Sequence, residues 1–486
     1  MTSLLGSLAD TTLARLGDHA FVSYDGVEHS LAGLVDRASR VATGLHDSGV
    51  QPGDRVGVVM SNSPDVLVGY LAIWRAGAVA MPVIPAVSPR ELRHVLTDSE
   101  AVAVFASPGS APLVTEASAG LDVRLLAVPD LDTAGPGAVV RRSDDDLAAL
   151  LYTGGTTGRA KGVMLSQRNL WTTAQARQQV VEQAGTTSVL VPLPMSHVFG
   201  LINAVSRLHV SRPGTLHLQG RFDAQEWVRT IERERITASA LVPSMLQLLL
   251  AQPLEQHDLS SLTYVTSGGA PLALPVRQEF ERRVPTARVC DGYGCTEITS
   301  TATMSPPDAR RDDSVGTPLP GVRLRIEGPD DAEVPVGVDG EVCVASPGVM
   351  AGYWRDPEAT AAVVRDGWLH TGDIGHVDAD GYLTIVDRMK DLIIRGGFNV
   401  YPRDVEDVLL AHPAVVAAAV IGRPDPVLGE EVVAYVEVRE PADSGELLAF
   451  AAGRLAKTKH PRELHVVDKV PLTSVGKVDR KALRRG

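Results

Sequence analysis

Leu151-Tyr-Thr-Gly-Gly-Thr-Thr-Gly-Arg-Ala-Lys-Gly-Val163 is the stretch that decides how this chain is read. An apolar run, LAALLY at 147–152, enters it, and a second, VMLS at 163–166, leaves it. Between two buried strands lies a loop of Thr and Gly that ends on Lys161. Small residues let backbone N–H groups close around an anion, and the Thr hydroxyls and the lysine add donors. The pattern therefore reads as a phosphate-binding loop, with a plain Gly/Thr turn as the competing reading. A P-loop does not fit, because Lys161 follows Ala160 and is followed by neither Ser nor Thr. No G-x-G-x-x-G is present here, so a dinucleotide fold is not supported.

Outward from this loop, short β-branched runs alternate with amphipathic stretches. Examples are 55–60 followed by a helix from Pro64, and 101–105 after a helix over 90–98. Further on, 238–242 precedes a helix over 244–251, and 264–267 precedes one around Gln278. Such alternation predicts a layered α/β fold with largely parallel sheets. After about Pro306 strand-like pieces follow one another through turns, which suggests a small antiparallel or barrel-like unit. From Arg388 onward comes a compact tail: a helix near 402–411, strands at VVAAAVIG and EVVAYVEV, and a second helix ending near Lys457. Residues 111–144, rich in Ala, Gly and Asp, read as a surface meander.

The bulk composition narrows the function classes. The chain has 486 residues, 44% hydrophobic and 22% charged, a globular composition with room for several cores. A net charge of −13 argues against a nucleic-acid partner, whose binder would be basic. Three cysteines, Cys290, Cys295 and Cys343, make neither a disulfide framework nor a C-x-x-C zinc pair, and a cytoplasmic location fits them. No signal peptide is evident at the N-terminus. Residues 66–87 are almost wholly apolar, but Arg75, Pro82 and Pro85 argue against a membrane span. A buried helix from about Asp65, a turn at Ala76-Gly77 and a buried strand fit them better.

Further motifs stand in order along the chain: Asp291-Gly-Tyr-Gly-Cys-Thr-Glu297, Thr371-Gly-Asp373, Asp387-Arg-Met-Lys-Asp391, Gly396-Gly-Phe-Asn-Val-Tyr-Pro402 and Pro471-Leu-Thr-Ser-Val-Gly-Lys477. With the opening loop, this set resembles the adenylate-forming superfamily of acyl-CoA synthetases, peptide-synthetase adenylation domains and luciferases, over essentially the whole chain. The family form of the loop is YTSGTTGxPKG; Gly154 here replaces its Ser and Ala160 its Pro. The resemblance implies a large N-terminal domain, 1–389, of layered α/β sheets with a small β-barrel-like unit. It also implies a small mobile C-terminal α+β domain, 390–486, hinged at Lys390.

Site roles follow from the same resemblance. Thr153, Gly154, Gly155, Thr156, Thr157 and Lys161 would hold phosphates. Gly269, Ala270, Pro271, Asp291, Gly292, Tyr293 and Gly294 would surround the nucleotide, with Tyr293 stacked on adenine. Thr296 would touch the α-phosphate, and Glu297 would help hold Mg²⁺, as a hard cation requires. Asp373 and Arg388 would bind the ribose. Gly396 and Gly397 would line a pantetheine tunnel, with Asn399 near a phosphate. Lys477 would be catalytic, a mobile charge opposite the departing pyrophosphate. Lone carboxylates, charge runs and terminal lysines are ordinarily solvated surface; the ordered set is what lifts these above it.

Pro194-Met-Ser-His-Val-Phe-Gly200 resembles the segment that sets a histidine, here His197, beside the acid. Phe199, Asn203, Gly269, Gly292, Gly294, Ser300 and Thr301 would complete the acyl pocket. Asn203, Ser300 and Thr301 are more polar than a long alkyl chain would want. No Asp stands where α-amino-acid enzymes hold an ammonium. The expected substrate is thus a compact carboxylic acid: aryl, cinnamyl-type or short-chain.

The expected reaction is ATP-dependent formation of acyl-AMP and transfer to the thiol of coenzyme A. Alternatives are loading of a carrier-protein phosphopantetheine, with an acyl carrier protein as partner, or activation of an unusual acid for transfer to an amine. A silent scaffold would predict loss of Lys477, Glu297 or Asp373, and all three are present. A monomer or homodimer is expected. His94-Val-Leu-Thr-Asp98 matches the H-x-x-x-D of some acyltransferases, but it lies on a helical pattern and reads as coincidence; no G-x-S-x-G elbow exists.

Overall fold

The apolar stretch that invites a membrane reading forms the middle of the fold. A computed structural model describes residues 4–133, 135–153, 160–473 and 478–484. In it the helix Pro64–Arg75 is buried at every position except Asp65. Gly77, at φ +72°, makes the turn, and the strand Val79–Pro82 follows, buried throughout. That strand lies between Arg55–Val59, which it pairs in parallel, and Leu147–Thr153. A strand covered on both faces has no polar side to show, which accounts for the continuous apolarity. Among the described residues no helix is long and apolar enough to cross a membrane.

This central strand belongs to a seven-stranded sheet. Its order is Gly352–Tyr353, Lys161–Ser166, Leu147–Thr153, Val79–Pro82, Arg55–Val59, Ala101–Ala106, Arg124–Leu126. A second, nine-stranded sheet has parallel strands at its centre, including Ser188–Val191, Ala238–Leu241, Tyr264–Ser267 and Arg288–Tyr293. Helices such as Pro89–Asp98 and Gln167–Gln183 start where the sequence supplies a cap. Ser88 with Glu91, and Ser166 with Asn169, form reciprocal capping boxes. The two sheets are tied through the core. Tyr70 Oη, on the helix Pro64–Arg75, donates across to Met195 O at 2.9 Å, while Trp74 Nε1 fastens the same helix to its own sheet by donating to Ala148 O at 3.0 Å. Both rings are fully buried, and each such side chain stabilises the fold by about 1.5–3 kcal/mol.

After residue 306 the expected antiparallel unit appears. Arg323–Glu327, Gly340–Ala345, Trp368–Val377 and Leu383–Arg388 build it, with the short strand Val364–Arg365. A smaller C-terminal unit follows the turn Met389–Asp391. Its sheet joins Ile393–Arg395, Phe398–Val400, Val415–Asp425, Gly429–Val438 and Glu463–Val467, with the helices Pro402–Leu410 and Ser444–Ala452.

Two expectations need correction. Residues 111–144 are not simply a meander: they hold the helix Ala111–Ser118, the edge strand Arg124–Leu126 and the short helix Val128–Leu131. Val114, Ala117 and Val128 are the buried anchors that a composition rich in small residues conceals. The last long helix ends at Ala452 rather than near Lys457, and a separate 3₁₀ turn covers Lys457–Lys459.

Candidate active site

In open parallel sheets, ligands bind beyond the carboxyl ends of the strands. Here the strand Tyr264–Ser267 runs into Gly268 and Gly269, and the strand Arg288–Tyr293 ends at Tyr293 and Gly294. Of the expected site residues, Tyr293, Asp373 and Arg388 meet at these ends. Tyr293 Oη donates to Asp373 Oδ2 at 2.6 Å, and Arg388 Nε meets Asp373 Oδ1 at 3.0 Å. Asp373 and Arg388 face each other because their strands pair in that register. Burial, then the Asp373 carboxylate, hold the Tyr293 phenol well above its usual pKa, so it stays a donor. The turn before Asp373 is itself braced. Thr371 Oγ1 donates to Val342 O at 2.7 Å, Gly372 N donates to Glu341 Oε1 at 2.9 Å, and Asp373 N donates to Thr371 Oγ1 at 3.1 Å.

A second polar line begins where Thr153 pairs with Lys161 across the hairpin. Gly154, Gly155, Thr156 and Thr157 lie outside the described residues, as does Lys477. Lys161 Nζ is 3.3 Å from Asp356 Oδ2 and 5.1 Å from the centre of the Tyr353 ring. Tyr353 Oη in turn donates to Glu297 Oε1 at 3.0 Å. Tyr353 is held there by pairing with Val163, on the strand that carries Lys161. Glu297 sits in the 3₁₀ turn Thr296–Ile298, which Thr296 opens. Thr299 and Ser300 follow with φ +56° and +84°, left-handed conformations that cost non-glycine residues energy and cluster at functional sites. The turn is pinned from behind by Thr299 Oγ1 donating to Gly348 O at 2.7 Å and Met350 N donating to Glu297 O at 2.8 Å. One hydrogen bond occupies Oε1 of Glu297, and a carboxylate is a hard oxygen donor, so this group fits an Mg²⁺ ligand.

The candidate acid pocket lies on the other side of the strand ends. His197 caps the helix Val198–Ser206, its Nδ1 accepting from Phe199 N at 3.2 Å. The loop before it is held by the buried Asn62, whose Nδ2 donates to Leu193 O at 2.8 Å and Gln219 O at 3.1 Å. Asn62 Oδ1 accepts from Met195 N at 2.8 Å. Asn203, 3% exposed, donates through Nδ2 to Phe199 O at 2.7 Å. The Phe199 ring lies across the strand ends: a Cβ on Gly268 would stand 3.3 Å from Phe199 Cζ and 3.4 Å from Gly292 O. At Gly294 a Cβ would fall 1.9 Å from Ser300 O, so only glycine lets Ser300 and Thr301 come this close. Gly269 and Pro271 are exposed at the rim, with Ala270 half-buried between them. Asp291 points elsewhere: its Oδ2 pairs with Arg277 Nη1 at 2.7 Å, and Arg277 is 2% exposed.

The expected hinge lies beside the Tyr293–Asp373–Arg388 cluster. Asp387 Oδ2 accepts from Arg403 N at 3.1 Å, and Arg403 Nη1 donates to Ile385 O at 2.7 Å. The end of the larger unit thereby clasps the first turn of the helix Pro402–Leu410, with exposed Lys390 between them. Gly396 and Gly397, at φ +57° and +81°, form the two-residue turn between Ile393–Arg395 and Phe398–Val400. Such a turn needs positive φ at both central positions, which is a local reason for the glycine pair. The hairpin is solvent-exposed, Phe398 at 60%. Gly396, Gly397 and Asn399 are thus not brought to the Tyr293–Asp373 cluster in this arrangement, and Asn399 contacts Tyr401 instead.

Sequence reasoning missed Tyr353, Asp356, Glu341 and Asn62. An aromatic pair at Tyr353-Trp354 after a glycine was the one visible signal, and it has no fixed meaning by itself. The H-x-x-x-D match is structural: Tyr152 Oη donates to Asp98 Oδ2 at 2.5 Å, and His94 packs edge-on against the Tyr152 ring.

Comparison with known proteins fits this geometry. The AMP-binding enzyme model matches residues 9–354, and the AMP-binding enzyme C-terminal domain model matches 404–477. A feruloyl-CoA synthase of Amycolatopsis sp is 39% identical over 97% of this chain and 97% of its own length. An indoleacetate–CoA ligase of Aromatoleum aromaticum is 37% identical over 94% of this chain and 92% of its own. The crystal structure of ATP-bound MatB from Rhodopseudomonas palustris superposes with a TM-score of 0.92 at 34% identity, covering 100% of this chain and 99% of that one. With the strand-end site and both domain matches in place, the chain belongs to the AMP-binding enzyme family and is an adenylate-forming acid–thiol ligase of the acyl-CoA synthetase type.

Proposed function

We propose that this ligase activates a compact aromatic acid, of the aryl or cinnamyl type, and delivers it to coenzyme A. The observation that carries the acid class is an aromatic wall at the strand ends: the Phe199 ring packs close against the backbone of Gly268, where a Cβ would stand 3.3 Å from Phe199 Cζ. An aromatic acid gains stacking or edge-to-face contact from such a ring, and a flexible alkyl chain gains less from it. Buried Asn203 and Thr301 add polar edges that a fatty tail would leave unmatched. The feruloyl and indoleacetate relatives support the same class.

In the first half-reaction, a carboxylate oxygen attacks the α-phosphorus of ATP, and pyrophosphate leaves. Asp373 accepts from the ribose hydroxyls with Arg388 beside it, while Tyr293 lies against the adenine. Lys161 and the residues of the Thr/Gly loop would bind the phosphates, and Thr296 the α-phosphate. Mg²⁺, held at Glu297, would neutralise phosphate charge as it builds. His197 orients the acid, and Lys477 counters the charge on pyrophosphate. In the second half-reaction the thiol attacks the acyl carbonyl and AMP leaves. For that step the unit 390–486 turns about Lys390 and brings the Gly396-Gly397 hairpin to the thiol path, with Asn399 near a phosphate of coenzyme A.

The test is ATP with a panel of acids, with and without coenzyme A, reading AMP and thioester by mass spectrometry. Ferulate-like and other aryl acids are expected to lead. A clear preference for palmitate would refute the aromatic assignment.

A further inference from the structure

Behind the turn that carries Asp373, the antiparallel unit holds an unusual group of side chains. Glu327, Cys343 and His370 are buried, and their ligating atoms all lie within 4.8 Å of one another. They stand on three neighbouring strands: Arg323–Glu327, Gly340–Ala345 and Trp368–Val377. His370 Nδ1 is 3.4 Å from Cys343 Sγ, 3.7 Å from Glu327 Oε2 and 3.0 Å from Glu341 Oε2. One imidazole nitrogen offers a single proton or a single lone pair, and cannot satisfy a thiol and two carboxylates together. Glu327 is 3% exposed, and neither of its carboxylate oxygens makes a well-formed hydrogen bond.

We propose that Glu327, Cys343 and His370 form a structural site for a divalent cation of the zinc class, with Glu341, whose Oε2 is 3.0 Å from His370 Nδ1, moving in as the fourth ligand. Four-coordinate zinc, with bonds of about 2.0 Å to nitrogen, 2.3 Å to sulfur and 2.0–2.2 Å to oxygen, requires ligand-to-ligand edges of about 3.3–3.6 Å. The separations around His370 Nδ1 bracket that range. A mixed N, S, O set is borderline-soft and unsuited to Mg²⁺, which separates this site from Glu297. Burial, then the two carboxylates, push the Cys343 thiol up, so in forming the metal–sulfur bond Cys343 gives its proton to solvent. Two arginines compete with the cation. Arg325 pairs with Glu327, and Arg365 Nη2 lies 2.8 Å from His370 Nδ1. Both are partly exposed, Arg325 also lies over the Trp368 ring at 4.5 Å, and both must withdraw before a cation is bound. The other oxygen of Glu341 accepts from Gly372 N, so the cation would brace the turn beside Asp373.

The experiment uses the full chain without a histidine tag, stripped by chelator and titrated with Co²⁺. Wild type is expected to develop a near-ultraviolet thiolate-to-cobalt band that saturates at equimolar metal and is lost on adding Zn²⁺. Cys343→Ser is expected to lack the band, and His370→Gln to need at least tenfold more cobalt. Cys295→Ser, beside Glu297, is expected to keep it. Thermal melts check that each variant is folded, and the native mass of the zinc-treated wild type reports stoichiometry without any variant. Absence of the band in wild type, its survival in folded Cys343→Ser, or a metal-free native mass would overturn the proposal.

Discussion

The proposed nucleotide side and the proposed acid side of this site are built differently. On the nucleotide side the contacts that join the site's side chains link distant parts of the chain: Tyr293 to Asp373, Glu297 to Tyr353, Lys161 to Asp356. On the acid side the pocket residues bond one another at short range, and the long-range tie is Asn62, which holds the loop before His197. His197 meets Phe199, Asn203 meets Phe199, and Thr301 Oγ1 meets Ser300 Oγ at 3.4 Å. A cross-linked cluster couples its members, so one substitution disturbs several partners. A pocket wall made of locally bonded residues can change one side chain at a time. That division suits an enzyme class that keeps one nucleotide chemistry and varies its acids, and it can be challenged directly.

The largest effect is expected at Lys477, which lies outside the described residues. Lys477→Ala should lower acyl-AMP formation by roughly 10²–10³-fold, the cost of one preorganised charge, while sparing thiol attack on acyl-AMP supplied ready-made. Single-turnover assays of each half-reaction separate the two; equal loss of both in a folded variant would refute domain alternation. On the nucleotide side, Asp373→Ala strands both Tyr293 and Arg388. It should raise KM for ATP by roughly 10–100-fold and leave KM for the acid within about twofold, since charged hydrogen bonds carry about 1.5–3 kcal/mol each. A matching rise in acid KM would show the two sides to be coupled. Glu297→Gln keeps an acceptor for Tyr353 but loses the charge, and should raise the Mg²⁺ concentration for half-maximal adenylation at least about tenfold. An unchanged Mg²⁺ titration would remove Glu297 from the metal.

Gly397 tests the hairpin. Ala and Leu there both pay for φ +81°, about 1–2 kcal/mol, but only Leu adds length. A tunnel role predicts thioester formation about tenfold slower for Gly397→Leu than for Gly397→Ala, with adenylation equal in the two. Equal thioester rates would leave the glycine pair with its turn geometry alone. The smallest effect is expected on the acid side. Asn203→Leu should shift the ratio of kcat/KM between hydroxylated and plain aryl acids by about tenfold or less, with KM for ATP unchanged. A change in ATP binding of similar size would erase the distinction between the two sides.

Much of the molecule was legible from residues 151–163 outward. Alternating apolar runs mark strands and helices locally, so Tyr264–Ser267 was read at its observed bounds and the apolar stretch at 66–87 was read as helix, turn and strand. The order of the motifs marked the family and grouped Tyr293, Asp373 and Arg388. Tertiary structure alone decided what each group faces. Tyr353 reaches Glu297 because a short edge strand pairs beside Lys161; Asn62 holds the loop before His197 from the opposite sheet; Glu341 braces a turn thirty-one residues away. Asp291, grouped by sequence with the nucleotide segment, spends its carboxylate on Arg277. Periodicity and turn chemistry act between near neighbours and leave a mark in the sequence. A hydrogen bond between residues brought together only by sheet order needs no particular spacing, so nothing local records it.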